Sequence, residues 1–226
     1  VVDHVSYTVE AGEIVGILGR NGAGKTTSFR MTTGMIRPDR GRVFFDGEDV
    51  TKMAMYRRSR RGMGYLAQEP SVFQRLSVED NLMAILETRP LDRAGRRARA
   101  EQLMGQFGLT KLHRQAARTL SGGERRTLEI ARALVTEPTL ILLDEPFSGV
   151  DPVAVEDLQA EVRALRQEQG IAILITDHNV ERTLEIVDRA YVIVDGHVFA
   201  EGAPKQIINN EQVRKLYLGS TFRGDE

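Results

Sequence analysis

The sequence contains no cysteine. Disulfides, Cys-ligated zinc and thiol nucleophiles are excluded together. Net charge is almost absent as well, because 31 Lys and Arg stand against 32 Asp and Glu and leave a formal −1. Bulk electrostatics therefore gives no reason to expect a nucleic-acid binder or a polyacidic partner. No apolar run nears the roughly 18 residues needed to cross a bilayer, and the longest, such as Ile171 to Ile175, are strand-sized. A signal peptide, an internal repeat and a low-complexity linker are missing too. So is an opening methionine. The chain begins at Val1 already in strand-like alternation, Tyr7 included, so a preceding N-terminal piece is expected. What is there is a 226-residue chain, 41% hydrophobic and 28% charged, with enough apolar material for a sizeable core. The expectation is a cytosolic protein that, if it serves a membrane, does so from outside the lipid.

Short apolar runs ending in turn or polar residues recur: Glu13 to Leu18, Val43 to Phe45, Thr139 to Leu143, Ile171 to Ile175 and Ala190 to Val194. Their length and branched residues suit buried strands. Helical patterns alternate with several of them, and Val155, Leu158, Val162 and Leu165 form one apolar stripe. Such alternation predicts an α/β fold with a mainly parallel sheet. From about Ser77 to Thr119 no convincing strand is seen. Ser77 to Asp80 reads as a helix start, and the stretch predicts a helical insertion; Pro204 to Leu218 also reads helical. The basic runs Arg57 to Arg61 and Arg93 to Arg99 read as solvated faces, with contact to anionic lipid headgroups as the sharper alternative.

Gly19-Arg-Asn-Gly-Ala-Gly-Lys-Thr26 fits G-x-x-x-x-G-K-[ST], follows a strand and opens a helix. Glycines let such a loop curl so that its N–H groups point at phosphate oxygens, and the helix start adds partial positive charge. The candidate nucleotide contacts are Gly19, Arg20, Asn21, Gly22, Ala23, Gly24, Lys25, Thr26 and Thr27. Lys25 supplies a full charge at the β/γ-phosphates, and the Thr26 hydroxyl can ligate Mg²⁺. Leu140 to Glu145 places two carboxylates where a strand emerges: Asp144 suited to Mg²⁺ and Glu145 to polarising the attacking water. Leu120-Ser-Gly-Gly-Glu124 leads into another helix, with Ser121 and Glu124 spaced as a capping box. Gly122 and Gly123 cost about 1 kcal/mol each in a helix. They predict close approach of an anion to bare N–H groups, hence a second phosphate-binding helix start. His178 ends the run Ile173 to Asp177; His4, His113 and His197 match nothing.

Taken together these motifs resemble, over nearly the whole chain, the nucleotide-binding subunits of ATP-binding-cassette (ABC) transporters. Gly19 to Thr26 corresponds to Walker A, Gln68 to the Q-loop, Leu120 to Glu124 to the signature and Leu140 to Glu145 to Walker B. Ser148 to Asp151 follows as the D-loop, and His178 as the switch histidine. The resemblance implies a P-loop NTPase fold, with one ABC ATP-binding domain over residues 1–226 and a helical subdomain at about 77–135. It implies ATP and Mg²⁺ as ligands. It also implies a homodimer with two ATP sandwiched between subunits, so that Ser121, Gly122, Gly123 and Glu124 meet the nucleotide of the partner. Glu145, His178 and Gln68 would be catalytic; Thr26, Gln68 and Asp144 would hold the metal. Asp151 and Phe73 would lie at partner interfaces, Phe73 in a groove receiving a helix of the transmembrane partner. Packing in the core is the competing reading for Phe73.

A narrower resemblance, to the lipopolysaccharide-export branch of the family, rests on Arg60 to Glu69, Phe73 to Met83 and Leu120 to Arg126. Leu143 to Pro152, Ile175 to Val180 and the tail Tyr217 to Phe222 add to it. Arg20, Ala67 and Gln74 depart from the branch's pattern, the last two in the partner-facing groove. The aromatic that usually stacks on adenine would precede this chain, since Tyr7 is too close to Lys25. The resemblance implies a peripheral subunit on the cytoplasmic face of the inner membrane. It would work beneath two transmembrane permease subunits of the lipopolysaccharide-export type, without nucleic acid and without touching the cargo. The rivals are a branched-chain amino-acid importer ATPase and a soluble ABC ATPase of translation or DNA repair. The soluble type usually carries two cassettes or a long coiled coil between Walker A and signature. A P-loop kinase would leave Leu120 to Glu124 unexplained.

Overall fold

The computed structural model describes residues 2–218. Its first strand, β1 (Ile14–Gly19), is buried at all six positions and leads through a glycine loop into α1 (Lys25–Thr33). A small hairpin of β2 (Phe44–Phe45) and β3 (Glu48–Asp49) follows, then α2 (Met55–Arg60) and β4 (Met63–Leu66). Next come three helices: α3 (Val78–Leu86), α4 (Arg93–Gln106) and α5 (Gly122–Leu134). The chain then alternates through β5 (Leu140–Asp144), α6 (Pro152–Gln169), β6 (Ala172–Asp177) and α7 (Val180–Leu184). It closes with β7 (Arg189–Val194), β8 (His197–Gly202), α8 (Pro204–Asn209), α9 (Glu211–Val213) and a wide turn over Arg214–Leu218.

Six strands form one sheet in the order β4-β5-β6-β1-β7-β8, parallel except for β8. Period-two alternation divides the apolar side chains between its faces. Ile14, Leu18, Ile141, Leu143, Ile173 and Ile175 join one cluster, while Val15, Ile17, Leu142 and Leu174 join the other. A parallel sheet covered on both sides needs such continuous apolar strands. The first cluster runs on without a break into Leu82, Leu86, Leu103, Met104 and Leu128 of the helices between β4 and β5. Ser77 caps α3, its hydroxyl accepting from Asp80 N, as its spacing predicted. The stripe of α6 is buried at all four positions, each side chain worth about 1.5–3 kcal/mol.

Several expectations fail, each for a local reason. Tyr7 lies in no strand. Its ring packs against the second core cluster, and its hydroxyl meets Thr32 Oγ1 at 2.5 Å, so burial rather than sheet pairing explains the alternation around it. The run Val43 to Phe45 is not a buried strand either, because only Phe44–Phe45 pairs, in the separate hairpin, and Phe44 is exposed. Strands β4 and β8 were not legible: one is four residues long with a glycine inside, the other half exposed. The run Arg57 to Arg61 is not wholly a solvated face. Arg58 is buried and donates to the carbonyls of Met31, Thr32, Met53 and Thr51. Two of those carbonyls are at the C-terminal end of α1, where a cation is favoured. Of the tail resemblance, residues 219–222 lie outside the described residues.

Candidate nucleotide site

Four parallel strands deliver the candidate residues to one edge of the sheet. β1 ends at Gly19, β4 runs out toward Gln68, β5 ends at Asp144 and β6 at Asp177, next to His178. The carboxyl edge of such a sheet is where α/β folds bind ligands. A cleft of about 480 Å³ opens there, lined by the loop residues Asn21, Gly22 and Gly24 and by Lys25, Thr26 and Thr27 of α1. Gln68, Glu145, Ser148 and His178 face them across it. A second cleft of about 650 Å³ adjoins it at Asn21 and His178 and takes in Gly19, Arg20 and Ala23 with Asp195.

The loop's glycines are needed for distinct reasons. Gly22 and Gly24 have φ of 85° and 107°, which side chains disfavour. A Cβ on Gly19 would sit 2.8 Å from the Ile193 carbonyl oxygen. Lys25 is buried, and its ammonium donates to the Gly19 carbonyl at 2.6 Å and that of Arg20 at 3.3 Å. Burial lowers its pKa, while the nearby charges of Glu145, Asp144 and Asp177 pull it back up.

Asp144 is fully buried. Its Oδ1 accepts from Thr176 Oγ1 at 2.9 Å and from Thr26 Oγ1 at 3.5 Å, and its Oδ2 from the Tyr65 hydroxyl at 3.4 Å. Burial pushes the Asp144 carboxyl upward against these hydrogen bonds. It also pushes the Tyr65 phenol up to about 12, helped by the Asp144 charge. Glu145 takes a left-handed backbone, φ 48°, and its N–H donates to the Thr176 carbonyl at 2.9 Å. Its Oε2 accepts from Gln68 Nε2 at 2.9 Å and lies 3.6 Å from His178 Nδ1. Gln68, Glu145 and His178 therefore meet as one group opposite Lys25.

Three contributors were missed from the sequence. Tyr65 and Thr176 lie within stretches that carry the resemblance, but no motif assigns either of them a role. Arg126 lies just past the signature residues. It donates to the carbonyls of Asp144, Glu145, Pro146 and Ala67 and pairs with Glu129 at 2.9 Å, bracing both carboxylate-bearing residues and the residue before Gln68. A buried arginine in a helix reads as a surface residue until its carbonyl partners are folded around it.

Ser121, Gly122, Gly123 and Glu124 line neither cleft. They start α5 with the expected reciprocal cap: Glu124 N donates to Ser121 Oγ at 3.2 Å, and Ser121 N to the Glu124 carboxylate at 2.8 Å. Anion approach is not what requires both glycines, however. A Cβ on Gly123 would lie 2.8 Å from the Ala154 Cβ of α6, so helix packing alone excludes a side chain there. On Gly122 a Cβ would make only an ordinary 3.5 Å contact. Gly123→Ala should therefore lower stability by about 1–3 kcal/mol through overpacking, less the helix-propensity gain. Gly122→Ala should shift it by under about 0.5 kcal/mol. Thermal melts of the two variants check this; equal melting temperatures would refute the packing account.

Asp151 caps α6, accepting from Ala154 N at 3.1 Å, and is exposed. Phe73 is 46% exposed, and the Arg132 guanidinium sits 4.6 Å over its ring. That disposes of the reading in which Phe73 is core.

Known proteins resemble this chain along nearly its whole length. The ABC transporter family pattern matches residues 2–148. The chain is 51% identical over 223 residues to the lipopolysaccharide export system ATP-binding protein LptB of Acidithiobacillus ferridurans, covering 99% of this chain and 92% of that protein. It is 54% identical over 222 residues to an uncharacterized ABC transporter ATP-binding protein of Rhizobium meliloti, covering 98% and 82%. Among solved structures, the ATP-binding cassette MJ1267 of an ABC transporter superposes with a TM-score of 0.88 at 30% identity, over 96% of this chain and 92% of that one.

Proposed function

This chain belongs to the ABC transporter family as an ATP-binding, ATP-hydrolysing subunit, and from that premise we propose that it powers lipopolysaccharide export from the inner membrane. The observation that carries the cargo is the 51% identity, along 99% of the chain, to a protein named for that export system. It would act as a homodimer beneath two transmembrane permease subunits. No helix among the described residues is long and apolar enough to cross a membrane. The permeases would hold it at the cytoplasmic face in this reading.

In this reading the α1 N-terminus, the loop N–H groups and Lys25 hold the phosphates of ATP, with Thr27 beside them. Glu145 accepts a proton from the attacking water, while His178 and Gln68, already grouped with it, fix its position at the γ-phosphate. The residues fit a hard divalent cation, since Thr26 and Asp144 offer adjacent oxygen donors and Asp144 is a buried carboxylate held by hydroxyls. Mg²⁺ would be held by them and by Gln68, and when bound it would neutralise phosphate charge. The separation of Ser121 to Glu124 from the cleft supports a sandwich in which each subunit's signature completes the site of the other. Asp151, capping α6 nearby, would lie at that same seam.

Co-purification from membranes, followed by identification of the associated permeases and a proteoliposome assay of lipopolysaccharide release, tests the proposal. ATP-driven amino-acid uptake by the purified complex would overturn it. Phe73→Ala should separate coupling from chemistry. The isolated subunit should keep its ATPase rate and lose under about 1 kcal/mol of stability, because the ring is half exposed and forfeits little beyond its contact with Arg132. Permease binding should weaken by about 2 kcal/mol or more if the ring is an interface anchor. A pull-down and a melt together decide; a large fall in melting temperature with intact permease binding would remove Phe73 from the interface.

A further inference from the structure

Two of the three hydroxyls on the Asp144 carboxylate come from residues to which the motifs assign no role. They arrive from opposite sides of β5. Thr176 stands directly beside Asp144 in the β5–β6 register, 2.9 Å from Oδ1. Tyr65 pairs with Leu142 on β4, so it lies diagonal to Asp144 on the same face, a separation that an aromatic side chain spans. Its hydroxyl reaches Oδ2 at 3.4 Å. Each carboxylate oxygen thus has its own donor from a different strand. Arg126, by contrast, donates to the main-chain carbonyl of Asp144, not to its carboxylate. A guanidinium on the carboxylate would neutralise it. Hydroxyls orient the group and leave its negative charge available.

We propose that Tyr65 and Thr176 are positioning residues that aim the Asp144 carboxylate at the divalent cation accompanying the nucleotide. This rests on the reading of Asp144 and Thr26 as cation-holding residues and deepens it, adding a second layer of two side chains. Neither need touch nucleotide or cation. The division of labour is specific: Thr176 sets Oδ1, which also faces Thr26, and Tyr65 sets Oδ2.

The test uses the full chain and three near-isosteric variants, Tyr65→Phe, Thr176→Val and Thr176→Ser. Mn²⁺ uptake with a non-hydrolysable ATP analogue is followed by electron paramagnetic resonance, and the analogue's affinity is measured separately in EDTA. Tyr65→Phe and Thr176→Val should each weaken Mn²⁺ binding about tenfold, in the range typical of lost outer-shell partners. The half-saturating Mg²⁺ for hydrolysis should rise in parallel. Affinity for the analogue in EDTA should stay at the wild-type value, and Thr176→Ser, which keeps the hydroxyl, should bind Mn²⁺ as wild type does. Unchanged Mn²⁺ affinity in both hydroxyl-free variants would overturn the inference. So would an equal loss of analogue binding in EDTA, which marks a general defect. If wild-type protein took up no Mn²⁺ with the analogue, the nucleotide reading itself would fall, and this inference with it. Should Thr176→Val not fold, Thr176→Ala, which also lacks the hydroxyl, takes its place beside Tyr65→Phe, and unchanged Mn²⁺ affinity in both would overturn the inference in the same way.

Discussion

Replacing Lys25 with alanine is expected to eliminate ATP binding at micromolar concentrations and to reduce hydrolysis by at least about a thousandfold. Loss of a single preorganised charge-stabilising donor costs a catalytic site about 10²–10³, and Lys25 supplies a full charge as well as hydrogen bonds. Its ammonium is buried at the mouth of α1 and is already directed at the loop, donating to the Gly19 and Arg20 carbonyls. Three carboxylates at the same sheet edge, Asp144, Glu145 and Asp177, act on it electrostatically. Without Lys25 those charges would confront a polyphosphate with the loop's N–H groups as the remaining nearby counterweight. Titration with a fluorescent ATP analogue and a phosphate-release assay check the expectation. Normal turnover in this variant would refute the assignment of Gly19 to Thr26 as the phosphate cradle.

Glu145→Gln should behave in the opposite sense toward binding. Hydrolysis should fall by about 10³ or more, because the proton acceptor for the attacking water is gone. ATP should still bind, since the loop, Lys25 and Asp144 are untouched. The amide oxygen can accept from Gln68 as the carboxylate does at 2.9 Å, and the bond from the Glu145 N–H to the Thr176 carbonyl does not involve the side chain. Removing one negative charge from the cleft would also ease repulsion of the γ-phosphate. Closed, nucleotide-loaded dimers should therefore accumulate, visible as an ATP-Mg²⁺-dependent shift to shorter retention in size exclusion. A variant that stays monomeric in saturating ATP-Mg²⁺ would argue against the two-subunit sandwich.

Both expectations depend on features that differ in how early they could be known. The glycine loop and Lys25 were readable because the proposed phosphate cradle is local: the turn, the helix start and the lysine all lie within eight consecutive residues. The capping box of α5 and the buried stripe of α6 are local in the same sense, set by a three-residue spacing and a 3.6-residue period. The order of the motifs carries the family resemblance in the sequence alone. By itself, then, the sequence determined the alternating α/β architecture, the glycine loop opening a helix, the carboxylate pair ending a strand and the family. Tertiary structure alone decided which distant side chains meet. It placed the Tyr65 and Thr176 hydroxyls on Asp144, from which they are 79 and 32 positions distant in sequence. It turned Arg58 and Arg126 inward onto main-chain carbonyls, and gave Gly123 its reason in Ala154 of the next helix. It also moved Phe73 out of the core. The physical reason is the same throughout. A periodic pattern or a tight turn is written in neighbouring residues, but burial of a polar side chain becomes favourable only when the chain folds partners around it.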